Sequence, residues 1–227
     1  HGQRTLQPHR QEHSLMRKTD WAALERKIGY RFTRPALLKQ ALTHRSHSAQ
    51  HNERLEFLGD ALLETIISNY LYHKHPKAPE GDLTRMRAAL VKGSKLASIA
   101  KSLHFGDYLQ LGSGELKSGG TRREGILADA VEALIAAVYL DSDFSRCESF
   151  TLALFSEALA SLPDIDALKD PKTRLQEYLQ GHNFPLPIYR PISESGPDHA
   201  RIFTIEAQTH DRHTTASASS LKKAEQA

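Results

Sequence analysis

Apolar residues recur at helical spacing along most of the chain, from Trp21 to about Leu159. Steps of three and four residues place them on one face of a helix. The spacing predicts helices over residues 21–28, 36–42, 55–72, 83–103, 126–140 and 146–159. Asp20 is a candidate N-cap of the first helix, and Pro35 stands at the start of the second. Because strand-like alternation is nearly absent before Pro163, the pattern predicts an all-α domain.

The pattern changes in the C-terminal part of the chain. A short helix is predicted over 172–180, after Pro171, and the last helix, over 221–227, follows the candidate N-cap Ser220. Between them, alternating apolar and polar residues predict three strands, over 187–193, 200–208 and 214–219. The order α-β-β-β-α predicts a small α+β domain. We interpret its final helix as truncated, and we expect the truncation to weaken the packing of this domain.

The two patterns divide the chain into four expected parts. Residues 1–15 are polar, rich in His and Gln and without periodicity, and we expect an extension or tag that precedes Met16, a plausible start. The all-α domain is expected over 16–160 and the α+β domain over 170–227. Residues 161–169 contain a proline and alternating acids, which is typical of a linker.

Composition and charge limit the class of protein. Of the 227 residues, 39% are hydrophobic and 25% are charged, as in ordinary globular domains. No apolar run approaches the ~20 residues of a membrane span, so we expect no membrane partner. Cys147 is the single cysteine, which excludes an intramolecular disulfide and fits a cytoplasmic protein. The net charge of +3 permits nucleic-acid binding without requiring it.

Three carboxylates share one face of the predicted helix that begins near residue 55. In the segment 52–60 (NERLEFLGD), Glu53, Glu56 and Asp60 stand at positions i, i+3 and i+7. Leucine and phenylalanine residues surround them, and a bare carboxylate in apolar surroundings is costly unless something pairs with it. A hard divalent cation is a common partner, so the segment predicts a site for one.

A second acidic pair lies on an apolar predicted helix. Asp129 and Glu132 are the only charged residues of the segment 126–135 (ILADAVEALI), and they share one face. A solvated surface is the ordinary explanation of such a pair, but the apolar remaining faces favour two acids directed inward. Together with Glu56 and Asp60 they make a plausible cage for Mg²⁺, with Mn²⁺ as a substitute. Carboxylate-bound Mg²⁺ serves phosphodiester hydrolysis, where one or two ions activate water and neutralise charge.

The glycine-containing segment 111–120 (LGSGELKSGG) does not match a phosphate-binding loop. It lacks both the Walker pattern and the G-x-G-x-x-G spacing, and no clear strand precedes it. We therefore expect no nucleotide cofactor.

The segment 52–60 resembles the signature of the bacterial ribonuclease III family, and the helix with Asp129 and Glu132 matches a second acidic helix of that family. The order α-β-β-β-α resembles a double-stranded-RNA-binding domain. The resemblance covers nearly the whole chain from about Trp21. It implies a Mg²⁺-dependent endoribonuclease that cleaves double-stranded RNA into products with 5′-phosphate and 3′-hydroxyl ends and short 3′ overhangs. It also implies a cytoplasmic homodimer that processes ribosomal and messenger RNA precursors.

The resemblance assigns a role to each of the four central acids. The positions of the family's metal site correspond to Glu56, Asp60, Asp129 and Glu132. Of these, Asp60 and Glu132 are tied most directly to catalysis. None of the four positions is substituted in this chain.

Other residues of the first domain also match family positions. Glu53 and Glu80 match supporting acids, for which the alternatives are a surface ion pair and an acid at a helix start, respectively. Phe57 matches an aromatic residue that packs against the partner subunit, and packing into the core of its own domain is the alternative. The segment 43–46 (THRS) matches as well, and we interpret His44 as a structural histidine rather than a general base.

The second domain offers three places for an RNA duplex. A-form RNA is recognised across its shallow minor groove, through 2′-hydroxyls and phosphates. The family's contact regions correspond to Thr173, Gln176 and Glu177 in the first helix, Pro197 and His199 in the first loop, and Lys222 and Lys223 in the last helix. Residues 166–227 carry eight Lys or Arg and eight Asp or Glu, so affinity must depend on where the charges lie.

Two other classes of protein are weighed against this enzyme. One is a regulator that binds duplex RNA without cutting it, and the other is a structural helical dimer with an ion-pair network. Four metal-site acids beside a polyanion argue against the regulator, and the second domain argues against the structural dimer. Metal-dependent cleavage would separate the enzyme from both.

Overall fold

The structure is a computed structural model that describes residues 19–163 and 165–227. The predicted extension over 1–15 lies outside the described residues. The described residues divide into two compact units: 19–60 with 96–154, and 61–95 with 155–163 and 165–227. The domain limits at 160 and 170 remain predictions from the sequence.

Twelve α-helices occur in the described part of the chain. They are α1 (Trp21–Ile28), α2 (Pro35–Ala41), α3 (Glu53–Lys74), α4 (Glu80–Val91), α5 (Gly93–Ser102), α6 (Ser113–Lys117), α7 (Glu124–Asp141), α8 (Phe144–Leu154), α9 (Ser156–Ala160), α10 (Ile165–Leu168), α11 (Pro171–Gly181) and α12 (Leu221–Gln226). Short 3₁₀ helices lie at Phe105–Asp107, Gly120–Arg122 and Asp198–Ala200. From residue 19 to 160 the elements are all helical, which confirms the all-α prediction.

Two predicted helices are each divided in the structure. The segment 83–103 forms parts of α4 and α5, because Lys92 adopts an extended conformation (φ −61°, ψ 142°) before Gly93. Glycine is a poor helix former, so a break there costs little. The segment 146–159 similarly divides into α8 and α9 at Phe155, whose side chain is fully buried. Periodicity alone does not reveal these breaks.

Three of the predicted helix starts are confirmed in atomic detail. Asp20 Oδ1 accepts a hydrogen bond from the N–H of Ala23 at 3.0 Å, and Ser220 Oγ accepts one from the N–H of Lys223 at 3.3 Å. Pro35 is the first residue of α2. The Asp20 and Ser220 side chains each pair with a backbone N–H that a helix start would leave unpaired. Pro35 has no backbone N–H, so no donor is left unpaired at its position.

Helix α7 forms the centre of the first unit. Eleven of its residues are buried, and it packs against α2 and α8. A helix that is apolar on nearly every face is stable only when neighbours cover it. Because neighbouring helices cover α7, they determine the surroundings of its few acidic residues.

None of the helices in the described part of the chain is long and apolar enough to cross a membrane.

A three-stranded antiparallel sheet lies in the second unit. Its strands are β1 (Ile188–Ser195), β2 (Ile202–Gln208) and β3 (His213–Ala218), in the order β1-β2-β3. Helix α12 packs against β2 and β3, where Ile205 and Ala224 are buried. Residues 171–227 thus follow the order α-β-β-β-α, which confirms the predicted fold class.

Candidate metal centre and RNA interface

Helices α3 and α7 touch backbone to backbone at Gly59. A Cβ atom at this position would lie 1.8 Å from the carbonyl oxygen of Glu132, far inside van der Waals contact. Only glycine permits such an approach. Glu56 stands one turn before Gly59, so this contact sets the separation of the Glu56 and Glu132 carboxylates. A lone glycine inside a helical pattern is the sequence signal for close packing, but it does not identify the partner.

Three carboxylates converge beside this contact. Glu56, Asp129 and Glu132, which we call the acidic cluster, each offer an oxygen atom within 4.8 Å of the other two. All three side chains are half-buried. Like charges so close in a partly dry site repel each other strongly unless a proton or a cation intervenes.

The pKa values of the acidic cluster express that repulsion. Burial raises the pKa of Glu132 to about 7, and the charges of Asp60, Asp129 and Glu56 add to the rise. Burial likewise raises the pKa of Glu56 and of Asp129, although His44 opposes the rise at Asp129. At neutral pH the cluster therefore favours a bound positive charge. Its all-oxygen donor set fits a hard divalent cation.

Asp60 lies outside the group of three, although the sequence predicts it as the fourth ligand. It follows Glu56 by one turn of α3, and its side chain is exposed. Its charge still reaches the cluster, since it contributes to the raised pKa of both Glu56 and Glu132. The structure thus brings three of the four predicted ligands together and leaves Asp60 beside them.

Glu53 and Glu80, the two predicted supporting acids, have other contacts. Glu53 is exposed, 3.3 Å from Arg45 Nη1 and 3.9 Å from His51 Nδ1. Glu80 is the first residue of α4 and accepts a hydrogen bond from the Thr84 hydroxyl at 2.8 Å. These are the surface ion pair and the helix-start acid named as alternatives above.

Phe57 does not pack in the core of its own chain. Its side chain is 82% exposed, although it stands between Glu56 and Leu58 on a helix with many buried residues. The alternative of simple core packing is therefore wrong. Single exposed apolar residues are common on protein surfaces, so the exposure of Phe57 leaves its side chain available for a contact with another molecule.

His44 is held by a short hydrogen-bond chain. Its Nδ1 lies 2.8 Å from Ser46 Oγ and accepts from the Ser46 N–H at 3.2 Å, while Ser46 Oγ accepts from the Gly112 N–H at 2.9 Å. An accepting Nδ1 assigns the proton of the neutral ring to Nε2. The contacts agree with a structural histidine. In its protonated form, His44 is also near enough to lower the pKa of Asp129, a proximity to the acidic cluster that the THRS segment alone did not indicate.

Asp141, at the C-terminal end of α7, is a buried acid of a different kind. Its carboxylate accepts from the Tyr30 hydroxyl at 3.0 Å, the Thr33 N–H at 2.9 Å and the Arg34 N–H at 2.8 Å. Burial alone would raise the pKa of Asp141, but these hydrogen bonds hold it below its ordinary value. Local sequence patterns miss this anchor because its donors lie more than a hundred positions away along the chain.

Two of the three predicted RNA contacts on α11 already have partners in the structure. Thr173 donates its backbone N–H and its hydroxyl to Asp170, the N-cap of the helix, at 3.1 and 2.8 Å. The Glu177 carboxylate binds Lys169 Nζ at 2.6 Å, and Gln176 is half-buried. Contact between Glu177 and RNA would therefore compete with an ion pair.

The other two predicted contact places are open. Pro197 and His199 lie in the turn between β1 and β2, where Gly196 adopts a φ of +92° that favours glycine. His199 is exposed, and so are Lys222 and Lys223 in the first turn of α12. Cations at a helix start reinforce its attraction for phosphate.

Comparisons with known proteins cover the same residues. A family model described as ribonuclease-III-like matches residues 34–159, which contain the acidic cluster. A second model, the double-stranded RNA binding motif, matches residues 171–227, which contain α11, the sheet and α12.

Similar proteins match nearly the whole chain. Ribonuclease 3 of Pasteurella multocida (strain Pm70) is 54% identical over 206 residues, which cover 90% of this chain and 92% of the relative. Ribonuclease 3 of Shewanella denitrificans (strain OS217) is 56% identical over 207 residues, with the same two coverages of 90% and 92%.

Solved structures match the first part of the chain. The nuclease domain of ribonuclease III from Campylobacter jejuni aligns with a TM-score of 0.62 and 39% identity, over 64% of this chain and 100% of that domain. A second structure of that domain, described for structural flexibility in a region involved in dimer formation, aligns with a TM-score of 0.59 and 43% identity, over 60% of this chain and 95% of the other.

Proposed function

The chain belongs to the ribonuclease III family, and from this premise we propose that its acidic cluster binds the divalent cation used to cleave double-stranded RNA. The protein is an endoribonuclease of a metal-dependent family. The proposed ligands are Glu56, Asp60, Asp129 and Glu132. The convergence of three carboxylates within 4.8 Å carries this assignment, because only a cation or protons make such a group stable at neutral pH. Mg²⁺ is the cation we propose, with Mn²⁺ able to replace it.

The residues of the site divide the work. When bound, Mg²⁺ supplies charge neutralisation at the phosphodiester and activation of water. Glu56 and Glu132 come from two helices whose distance Gly59 fixes, so these ligands are held before the cation arrives. Asp60 is exposed beside them, and we place it as the fourth ligand after rotation of its side chain. Asp60 and Glu132 are the residues we assign to catalysis.

Glu53 and Glu80 are proposed as supporting acids. Both are charged groups with an organised partner, Arg45 for Glu53 and the Thr84 hydroxyl for Glu80. Neither belongs to the acidic cluster among the described residues. Their substitution should therefore affect cleavage less than substitution of a cluster residue.

The second domain holds the duplex. We propose that Lys222 and Lys223 bind phosphates, and that Pro197 and His199 enter a minor groove. Thr173, Gln176 and Glu177 would meet 2′-hydroxyls along α11. Since Glu177 is an anion bound to Lys169, its contribution would be to shape and position rather than to electrostatic affinity.

We also propose that the protein is a homodimer with Phe57 at the interface. An 82% exposed phenylalanine needs an apolar partner, and a nuclease-domain structure of the Campylobacter jejuni relative is described with a region involved in dimer formation. Two sites related by a two-fold axis would cut both strands and leave short 3′ overhangs with 5′-phosphate and 3′-hydroxyl ends. Processing of ribosomal RNA is typical of the family, and we assign this chain to processing of ribosomal and messenger precursors in the cytoplasm.

A cleavage assay with three arms tests the proposal. A long RNA duplex is incubated with the protein in Mg²⁺, in EDTA, and with a Glu132→Gln variant in Mg²⁺. We expect Mg²⁺-dependent cuts that leave 5′-phosphates, abolished in the variant while its duplex binding survives. Glu124→Gln is the matched control, because Glu124 lies on the same helix but is exposed and paired with Lys101. Duplex binding without cleavage in Mg²⁺ or Mn²⁺ would contradict the nuclease assignment and leave the RNA-binding regulator.

A further inference from the structure

Four aromatic rings lie in a row on the second domain, at the C-terminal end of α11. The Tyr178 and His182 ring centroids are 4.3 Å apart with the rings tilted by 36°, His182 lies parallel to Phe184 at 6.2 Å, and Phe184 stacks on His210 at 4.0 Å with an interplanar angle of 12°. We call this row the aromatic ladder. It joins the end of α11, the loop that follows it and the turn between β2 and β3.

The aromatic ladder is at the surface. Tyr178 is 58% exposed, Phe184 is 38% exposed and the His210 side chain is 36% exposed. Buried aromatic rings stabilise a small domain through the area that they remove from water, and partly exposed rings forgo part of that stabilisation. A row of ordered, exposed rings is instead the feature that proteins use to stack bases of single-stranded nucleic acid.

Arginine side chains flank both ends of the ladder. An open groove of about 520 Å³ runs beside Tyr178 and is lined by Lys169, Arg174 and Glu177. Arg174 is exposed and stands one turn before Tyr178 on α11, so both lie on one face of the helix. At the other end, the exposed Arg212 follows His210 closely in the β2–β3 turn, where Asp211 lies 3.8 Å from Arg212 Nε and 3.4 Å from His210 Nδ1. Arg174 thus offers a cation for a phosphate beside the ring of Tyr178, which offers a face for a base.

The same features decide between possible occupants. An apolar protein segment would use the rings but would leave Arg174 without a counter-charge, whereas a nucleotide uses both kinds of group. A base within an A-form duplex cannot offer its face, because its neighbours in the helix cover it. The occupant is therefore an unpaired nucleotide. Gln176, which we place against the duplex, and Tyr178 lie on different sides of α11, so a single-stranded tail that leaves the duplex reaches the ladder by passing around the C-terminal end of the helix.

We propose that the aromatic ladder binds an unpaired nucleotide contiguous with the duplex, with its base stacked on the rings and its phosphate on Arg174. This rests on the proposed function, because it extends the duplex site along α11. The substrate class that follows is duplex RNA with a single-stranded tail or loop, bound in preference to the same duplex with blunt ends.

The test compares matched RNAs on the full chain carrying Glu132→Gln, in EDTA, so that cleavage cannot occur. The probes are one blunt duplex and the same duplex with a four-nucleotide 3′ or 5′ tail that contains 2-aminopurine, whose fluorescence is quenched on stacking. We expect one of the tailed duplexes to bind about 5- to 10-fold more tightly than the blunt one and its fluorescence to be quenched. Tyr178→Ala should reduce this preference to below about twofold and leave blunt-duplex affinity unchanged.

Matched variants separate stacking from folding. Phe184→Leu keeps apolar volume but removes a π face, and it should lower the preference while blunt-duplex affinity persists. Tyr178→Phe should retain the preference. Ile192→Ala, which truncates another exposed apolar side chain of the same domain, should change neither affinity. Arg174→Gln should weaken the tailed RNAs more than the blunt one.

Equal affinity of the intact chain for blunt and tailed duplexes, whichever end carries the tail, would overturn the ladder as a nucleotide site and leave the nuclease assignment standing. A tail preference that survives both Tyr178→Ala and Phe184→Leu would also overturn it. Failure of the intact chain to bind even the blunt duplex would overturn the proposed RNA function, and the ladder with it.

Discussion

The two ends of α7 place acids in opposite surroundings. In its N-terminal half, Glu132 lies among other carboxylates, and burial raises its pKa to about 7. At its C-terminal end the side chain of Asp141 is 0% exposed, yet hydrogen bonds from Thr33, Arg34 and Tyr30 lower its pKa despite that burial. A negative charge at a helix C-terminus also opposes the helix dipole. The difference therefore comes from the donors that the rest of the chain supplies.

This contrast separates stability from function on a single helix. A buried carboxylate that receives three or more donors is fully compensated and ties distant segments together. A buried carboxylate that faces other acids is uncompensated until a cation binds. Substitutions at the acidic end should accordingly affect catalysis, and substitutions at the Asp141 end should affect stability. The expected effects follow from the largest to the smallest.

The largest effect is expected on catalysis at the acidic end. Asp129→Asn removes a proposed ligand of the cation and should lower kcat for duplex cleavage by about 10³-fold or more. The same chemical change at the other end, Asp141→Asn, should leave kcat nearly unchanged at a temperature where the variant stays folded. Single-turnover rates of both variants check this. An equal loss of rate in folded Asp141→Asn protein would erase the distinction between the two ends.

The second effect concerns the contact that assembles the acidic end. Gly59→Ala would place a methyl group 1.8 Å from the Glu132 carbonyl oxygen, so α3 and α7 must move apart. We expect cleavage to fall by about 10²-fold, since displacement of about 1 Å has that cost, and stability to fall by about 1–3 kcal/mol.

Gly125→Ala is the control for that substitution. A Cβ atom at Gly125, near the start of α7, would meet nothing within 4 Å. It should leave the cleavage rate intact and stabilise the helix by up to about 1 kcal/mol. A cleavage rate of Gly59→Ala equal to that of wild type would show that the helix contact does not position the carboxylates.

The third effect is on stability at the donor-rich end. Asp141→Asn loses the charge that strengthens its hydrogen bonds and turns an amide toward backbone donors. We expect the free energy of unfolding to fall by about 2–3 kcal/mol. Urea denaturation measures this, with Asp107→Asn, at an exposed position, as a control that should change it by less than about 0.5 kcal/mol. Full stability in the Asp141→Asn variant would contradict the anchoring role.

The smallest effect is on the pH dependence of the metal-free protein. The Glu132 carboxyl group binds its proton more tightly in the folded protein than in the unfolded chain. The destabilisation of the fold by the ionised Glu132 therefore grows as pH rises from about 4.5 to about 7. Glu132→Gln should therefore gain stability over wild type at pH 8, on the order of 2 kcal/mol after allowance for solvent screening, and gain little near pH 4.5.

Asp141 should show the opposite sign. The pKa of Asp141 is lower in the folded protein than in the unfolded chain, where it is about 3.9. The ionised carboxylate therefore stabilises the fold fully above that pKa, and this stabilisation is lost as pH falls through the folded-state pKa. The destabilisation by Asp141→Asn should thus be full at pH 7 and shrink below pH 4. Urea denaturation in EDTA across this range checks both ends. Parallel pH profiles for the two variants would contradict the contrast.

The sequence predicts these two ends unequally well. Helical spacing is a local property, and it places Glu56 on one helix face and Asp129 with Glu132 on another. Which faces meet is decided by Gly59, whose partner lies far along the chain. The exposed position of Asp60 depends on the direction of its side chain, which spacing does not determine.

The donor-rich end could not be predicted from local patterns. The groups that bind Asp141 stand 107 to 111 positions earlier, and nothing near residue 141 marks it as satisfied. The division of the predicted helix over 83–103 could not be predicted for a related reason. Apolar spacing continues through Lys92 and Gly93, while the break depends on backbone conformation. The aromatic ladder likewise joins residues from three separate elements.

Cation binding by the acidic cluster is tested most directly by calorimetry. Mn²⁺ is titrated into metal-free wild type, Glu132→Gln and Asp141→Asn at pH 6.5, in two buffers of different ionisation enthalpy. We predict saturable binding to wild type with release of most of one proton, because the pKa of Glu132 is about 7. Asp141→Asn should behave like wild type, and Glu132→Gln should bind weakly without proton release. Unchanged binding and proton release in Glu132→Gln would contradict the assignment of the cation to this cluster.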